Sequence, residues 1–198
     1  MVNEREVGQC GGSVTYDGTY DDETDYTDVE VAASNFCNDQ QTLNGRLSIE
    51  GYSEALTINF NYFNIRDEYL GSNATLNGRT EFIDNYPNYT VKADIVIQDN
   101  QLNRLYMLKN WRETVDETTF TAQISVSGDL YESDKGYVTV STLEPIETNV
   151  DGYPESGKIK MMGDGSTAWV TFYSSSYLVE VDSDNDALID DNNVYSYD

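Results

Sequence analysis

The chain has 198 residues, of which 36 are Asp or Glu and 11 are Lys or Arg, and its formal net charge is −25 at pH 7. A field of this sign repels phosphate backbones and anionic lipid headgroups, so we expect neither nucleic acid binding nor membrane insertion. The chain contains no histidine, which argues against a Ser-His-Asp hydrolase and removes the commonest general base and transition-metal ligand.

Apolar and polar residues alternate with a period of two along most of the chain, which predicts half-buried β-strands. The alternation is clearest over residues 89–97 and 120–126, and residues 56–65 show it until Phe63 breaks the pattern. Shorter segments of the same kind are SVTY (13–16), DVEVAA (28–33), GRLSI (45–49), TEFI (80–83), RLYML (104–108), YVTVST (137–142), KIKMM (158–162), AWVTFY (168–173) and YLVEV (177–181). Turn residues separate these segments, so we expect about a dozen strands.

The pentapeptide TLNGR occurs twice, at residues 42–46 and 75–79. We interpret it as part of a repeated hairpin unit in which residues 56–65 form the intervening partner strand. Chance recurrence of LNG, a common sequence beside turns, is the alternative.

A segment without alternation, residues 143–157, holds two of the three prolines and predicts an irregular crossing. We therefore expect a single all-β domain over residues 1–198, with a main sheet over 1–143 and a C-terminal hairpin group over 157–198 packed on it. The predicted fold is an antiparallel meander, curled into a barrel or half-barrel or folded into a two-layer sandwich. No apolar segment approaches the roughly 18 residues that a membrane-spanning helix needs.

The two cysteines, Cys10 and Cys37, are too few for a structural zinc site of their own. A disulfide between them would close a loop of about 27 residues and restrain the unfolded chain by about 3 to 4 kcal/mol. Such a bond indicates an oxidising compartment. Two buried free thiols in a cytosolic protein are the alternative, and we favour the disulfide.

The segment DSDNDALIDDN, residues 182–192, concentrates carboxylates at the spacing of a calcium loop. The predicted ligands are Asp182, Asp184, Asp186 and Asp190. Ala187 stands where an EF-hand loop has glycine, Asn193 stands where it has a bidentate Glu, and the preceding segment is a strand. The pattern therefore predicts weak calcium binding, with an ion-free solvated turn as the alternative.

The sequence contains no catalytic signature, and we predict no catalytic residues. Paired carboxylates could support glycoside hydrolysis, although among 36 acidic residues some pair always looks suitable. The glutamates available for it are Glu54, Glu68, Glu81, Glu113 and Glu117. Trp111 and Trp169, with the tyrosine-rich strands around them, could form a sugar-stacking face. The alternative is that one indole packs in the core while tyrosines cover a half-exposed sheet, where aromatic residues are favoured.

Five segments read in order carry a resemblance over residues 10–190: CGGSVTYDGTY, SNFCNDQQTLNGRLSI, YESDKGYVTVST, YPESGKIKMMGDGSTAWVTF and VEVDSDNDA. The chain resembles a group of secreted or lipid-anchored β-rich bacterial proteins, mainly from gammaproteobacteria, that have no assigned activity. The resemblance implies an extracytoplasmic location, a bridge between Cys10 and Cys37, and an acidic loop that in similar proteins often has the form DxDGDG. In this chain Asn185 and Ala187 take the two glycine positions.

Together these observations predict a non-catalytic structural protein, secreted or on the outer surface of a bacterium. Its open strand edges would pair between copies of the chain and form a filament or a surface layer. A module that binds a glycan or an apolar ligand is the second hypothesis. A carboxylate-based glycoside hydrolase is the third.

Overall fold

A computed structural model describes residues 1–117 and 121–197 and contains fourteen strands there. The strands are β1 (Val2–Val7), β2 (Gly11–Asp21), β3 (Tyr26–Asn38), β4 (Gln41–Tyr52), β5 (Ala55–Asp67), β6 (Ser72–Asn85), β7 (Asn88–Asp99), β8 (Arg104–Asp116), β9 (Gln123–Glu132), β10 (Gly136–Thr148), β11 (Pro154–Met162), β12 (Thr167–Tyr173), β13 (Ser176–Asp182) and β14 (Asp191–Ser196). Within the described residues no helix is long and apolar enough to cross a membrane. Phe120, which the alternation assigned to a strand, lies outside the described residues.

All fourteen strands belong to one antiparallel sheet, and their order in the sheet is the same as their order along the chain. Each strand from β2 to β13 pairs with the strand before it and the strand after it, whereas β1 and β14 have one partner each and are the two edges. Over the described part of the chain no pairing joins these edges, and the sheet is open. The predicted all-β antiparallel meander is therefore confirmed.

Eleven of the twelve segments that show alternation lie wholly in interior strands between β2 and β13, and the described part of the twelfth, residues 121–126, reaches into β9. The two strands that the pattern missed are the edges. All six residues of β14 are exposed, and so are five of the six residues of β1. An edge strand that buries neither face has no reason to alternate apolar and polar residues, so periodicity cannot detect it.

The predicted irregular crossing over residues 143–157 is wrong, because β10 continues to Thr148 and β11 begins at Pro154. Bulges in the pairing of β10 with β11 interrupt the alternation there without ending the strands. Strands β11 to β14 consequently extend the main sheet. They are not a separate hairpin group packed on it.

One face of the sheet carries most of the apolar side chains. The register places Leu47 opposite Phe60 and Val170 opposite Val179, and the alternate positions of the same strands carry polar residues. A buried cluster of Val14, Ala33 and Phe63 lies on the apolar face. Partly buried hydrophobic residues pack against it, namely Tyr16, Val31, Phe36, Leu43, Leu47, Phe60 and Ile65.

The two copies of TLNGR lie in β4 and β6, with β5 paired between them, as the repeated unit predicts. Their glycines lie within the strands and not in turns. Gly45 has φ of 110° and Gly78 has φ of 132°. A Cβ atom would collide with the carbonyl oxygen of Tyr62 at Gly45 and with that of Asp94 at Gly78. Such glycines and the bulges in several strand pairs are the features with which strands bend and twist more strongly.

The sheet covers that face incompletely. The accessible surface of the whole chain is 12417 Å², whereas a compact monomer of this mass exposes about 9,400 Å². Only eight hydrophobic side chains are buried among the described residues. The chain therefore has a thin core and an unusually large surface.

The two cysteines form a disulfide, with Cα atoms 5.2 Å apart, and no free thiol is present. The bond joins Cys10, in the turn between β1 and β2, to Cys37 near the end of β3. The predicted pairing is thus confirmed. It fits an oxidising, extracytoplasmic environment, because such bonds are rarely maintained in the cytosol.

Candidate functional site

The acidic loop, residues 182–190, connects β13 to the edge strand β14. Its first residue, Asp182, has only 1% of its surface exposed, although it carries a carboxylate. Its partner in the register is Thr167 of β12, which is also buried. A carboxylate in such a place needs hydrogen-bond donors, because burial of an unpaired charge is costly.

Backbone amides of the loop supply these donors. The N–H of Ala187 donates to Asp182 Oδ2 at 2.9 Å, and the N–H of Asp186 donates to Asp182 Oδ1 at 3.2 Å. Asp184 Oδ1 accepts a second, longer bond of 3.3 Å from the N–H of Asp186. Asp182 therefore folds the loop back on the end of β13.

The loop has the backbone of a glycine-containing loop, although it contains no glycine. Asn185 and Ala187 have φ of 64° and 69°, the left-handed conformation that glycine adopts without strain. Asn185 is also held from outside the loop, because its Oδ1 accepts a hydrogen bond of 2.9 Å from the Thr167 hydroxyl. These are the two positions to which the DxDGDG form assigns glycine.

The last acidic side chain of the loop, Asp190, is tied to its beginning. The hydroxyl and the backbone N–H of Ser183 both donate to Asp190 Oδ2. These bonds favour the charged carboxylate, and they lower the pKa of Asp190 below its ordinary value of 3.8, the hydroxyl contributing most. Asp190 is therefore ionised at neutral pH.

Three of the four predicted ligands come together. Carboxylate oxygens of Asp182, Asp184 and Asp190 lie within 4.8 Å of one another. The fourth, Asp186, is outside this group, and its Oδ1 accepts the N–H of Leu188 at 2.9 Å. Three negative oxygens at this separation repel one another, and a hard divalent cation is the partner that such oxygens bind.

The five glutamates that the sequence offered for hydrolysis lie on different strands and turns. Glu81 pairs with Arg79 at 2.6 Å and with Lys92 at 3.0 Å, and Glu68 pairs with Arg66. Glu81 and Glu68 are thus engaged in ion pairs at the surface of the sheet.

The two tryptophans do not share a face either. Trp111 lies opposite Ala93 on the apolar face, whereas Trp169 lies opposite Lys160 on the polar face. The Nζ atom of Lys160 is 6.0 Å from the centre of the Trp169 ring. The pair therefore cannot act as one sugar-stacking platform.

A cleft of about 740 Å³ lies at the turn between β3 and β4 and the turn between β5 and β6. Sequence reasoning missed it, because its lining residues are separated along the chain. Asp67 lines it with only 8% of its surface exposed, and it accepts the N–H of Leu70 and the side-chain amide of Gln41, each at 2.9 Å. The Leu70 bond first, and then the Gln41 bond, lower the pKa of Asp67.

Comparison of the chain with models of protein families, with curated proteins and with solved structures finds no match. The resemblance to secreted or lipid-anchored bacterial proteins therefore stays a prediction. Functional inference depends on the open sheet, the acidic loop and the cleft themselves.

Proposed function

We propose that this chain is a non-catalytic structural protein, secreted or on the outer surface of a bacterium, that assembles through the edges of its sheet. The observation that supports this proposal is the pair of edge strands, β1 and β14, each six residues long and each paired on one side only in the described chain. Unpaired backbone groups at a sheet edge are a template for another strand.

Strand direction favours a head-to-tail contact. The sheet has fourteen antiparallel strands, an even number, so β1 and β14 run in opposite directions. If β14 of one copy pairs antiparallel with β1 of the next, both copies have the same orientation and the meander continues. A contact of this kind joins two different surfaces and, unless its rotation closes a ring, it builds a filament.

The hydrogen-bond pattern of the antiparallel pairs shows which backbone N–H groups at each edge are free to bond to another strand. The N–H of Tyr197 bonds to the carbonyl of Ser175 at 3.2 Å, and bonding alternates along an antiparallel pair. Accordingly, the N–H groups of Asn192 and Val194 point away from β13. At the other edge, the N–H of Gly8 donates to the carbonyl of Gly12. By the same alternation, the N–H of Arg5 points away from β2.

The acidic loop gives this assembly a dependence on calcium. A net charge of −25 on each copy opposes association, and the loop directly precedes the edge strand β14. We propose that Asp182, Asp184 and Asp190 bind one calcium ion, with Asp186 as the fourth predicted ligand. The ion would neutralise charge beside the edge and hold the start of β14. Affinity would be low, in the range of about 10⁻⁴ to 10⁻³ M found in extracellular modules.

The assembly test uses Val194, whose side chain is exposed. Val194→Pro removes an outward N–H without removing a bond to β13, and Val194→Thr is the matched control that keeps the donor. We expect the unchanged protein and V194T to form filaments in about 5 mM calcium, well above the expected dissociation constant, and V194P to stay monomeric. Light scattering after size exclusion and negative-stain microscopy measure this. Monomers alone in the unchanged protein at high concentration would contradict the proposal.

The calcium test compares Asp184→Asn with Asp164→Asn, an exposed acid in the turn between β11 and β12. Calcium should raise the melting temperature of the unchanged protein and of D164N, because an ion that binds only the folded state stabilises it. D184N should lose most of that rise. An equal rise in both variants would mean that calcium acts on overall charge and not at the loop.

A further inference from the structure

We propose that the cleft between the β3–β4 and β5–β6 turns binds an uncharged saccharide. Its volume of about 740 Å³ lies within the range of about 300 to 1,000 Å³ that small-molecule sites occupy. The site is distinct from both sheet edges and from the acidic loop. The proposal therefore stands independently of the assembly proposed above.

The lining combines two kinds of surface. Phe36 and Leu43 are half-buried apolar side chains, and Tyr69 presents an aromatic ring that is 81% exposed. Asn38 and Gln41 add amide groups, each of which both donates and accepts hydrogen bonds. A sugar ring has an apolar C–H face and a rim of hydroxyl groups, so it matches an aromatic ring beside amides and carboxylates.

The charge of the residues that line the cleft determines which class of saccharide it can bind. No Lys or Arg lines the cleft, and the carboxylates of Asp39 and Asp67 do. An acidic saccharide would meet these carboxylates without a cationic partner and would be repelled. A metal ion is also disfavoured, because the acidic loop is the one place in the described chain where three carboxylates converge. An uncharged ligand with many hydroxyl groups is left.

The cleft is held in shape before a ligand arrives. The N–H of Glu68 donates to the carbonyl of Gln40 at 2.8 Å and joins the two turns. Asp67 fixes its own turn through Leu70 and the neighbouring strand through Gln41. The disulfide at Cys37 anchors the end of β3, directly before the cleft. A preformed site loses less entropy on binding.

Saturation-transfer NMR with four defined probes tests the proposal: maltotriose, cellotriose, triacetylchitotriose and trigalacturonate. We expect at least one of the three uncharged probes to bind and trigalacturonate to bind far more weakly. Tyr69→Ala should raise the dissociation constant by about tenfold or more, because it removes the stacking surface. Tyr153→Ala removes an exposed tyrosine from the turn between β10 and β11, at the other end of the strands, and should leave binding unchanged.

Three results would overturn the proposal: no binding of any uncharged probe, equal binding of trigalacturonate, or unchanged binding in Y69A. The monomeric V194P variant should bind the saccharide as the unchanged protein does. Saccharide binding by V194P in the absence of filaments would therefore separate failure of the assembly from failure of the cleft.

Discussion

Single residues determine where this sheet bends and how its acidic loop closes. Gly78 has a conformation and a close neighbour that exclude any side chain, and Gly45 repeats the same arrangement two strands away. In the loop, Ala187 adopts a left-handed conformation that costs an alanine about 1 to 2 kcal/mol. The hydrogen bond from its N–H to the buried Asp182 offsets part of that cost.

Gly78→Ala should lower the free energy of unfolding by about 2 kcal/mol or more, because the new Cβ would collide with the backbone of Asp94 and the backbone would be strained. Urea denaturation followed by circular dichroism measures this. Gly71→Asn is the control, since Gly71 is left-handed but has open space around it and Asn tolerates that conformation. Equal losses in both variants would show that the collision contributes nothing.

Ser183→Ala should raise the pKa of Asp190 towards its ordinary value of 3.8, because the hydroxyl that lowers it most is removed. A lowered pKa in the folded state stabilises the protein above pH 3.8, and this contribution is lost as the pH falls through the lowered value. In S183A this contribution should therefore be smaller, and its loss should be complete at a higher pH. Carboxyl-carbon NMR titration measures the shift, and Asp67, with other partners, should keep its pKa.

At the level of strands, the fold is a succession of hairpins whose interior members reach 14 residues and whose edges have six. Interior strands gain pairing on both sides and burial of one face. The edges gain pairing on one side, and β1 carries Glu4, Arg5 and Glu6, charges of the kind that limit unspecific edge pairing. Edge pairing should therefore be selective and sensitive to ionic conditions. The disulfide additionally ties the first hairpin turn to β3.

Replacing Cys10 and Cys37 together by Ser should lower the free energy of unfolding by about 3 to 4 kcal/mol, because the loop of 27 residues is no longer closed in the unfolded chain. Urea denaturation without reductant measures the loss. Added reductant should destabilise the unchanged protein to the same level and leave the double variant unaffected. An unfolding free energy that is equal in both proteins without reductant would contradict the entropic account.

For the whole molecule, charge and surface area act against a compact monomer. The chain carries a net charge of −25, and its accessible surface of 12417 Å² exceeds by about 3,000 Å² what a compact protein of this mass exposes. A standard protein interface buries about 1,600 Å² in total. The excess surface of the open sheet is therefore larger than a standard interface buries, and copies can associate once the repulsion between them is screened or neutralised.

Raising sodium chloride from about 0.1 M to 1 M should raise the melting temperature, because the screening length falls from about 10 Å to 3 Å and the repulsion among like charges weakens. Differential scanning calorimetry measures this. Close to the isoelectric point of about 4.1 the same addition should have little effect. A salt effect of equal size at both pH values would point to general salting-out and not to charge repulsion.

The amino-acid sequence by itself determined the interior strands, because residues such as those of 89–97 alternate between apolar and polar side chains. The spacing of the acidic residues likewise identified the loop, because it is a local signal. The pairing of the disulfide needed no tertiary information, because the chain has only two cysteines. Only the tertiary structure decided which of the four aspartates converge and where the sheet ends. It also decided that β10 extends to Thr148 and that β11 begins at Pro154. The cleft beside Asp67 was likewise decided only by the tertiary structure. Each depends on register and bending, which bring together atoms that no short stretch of the chain relates.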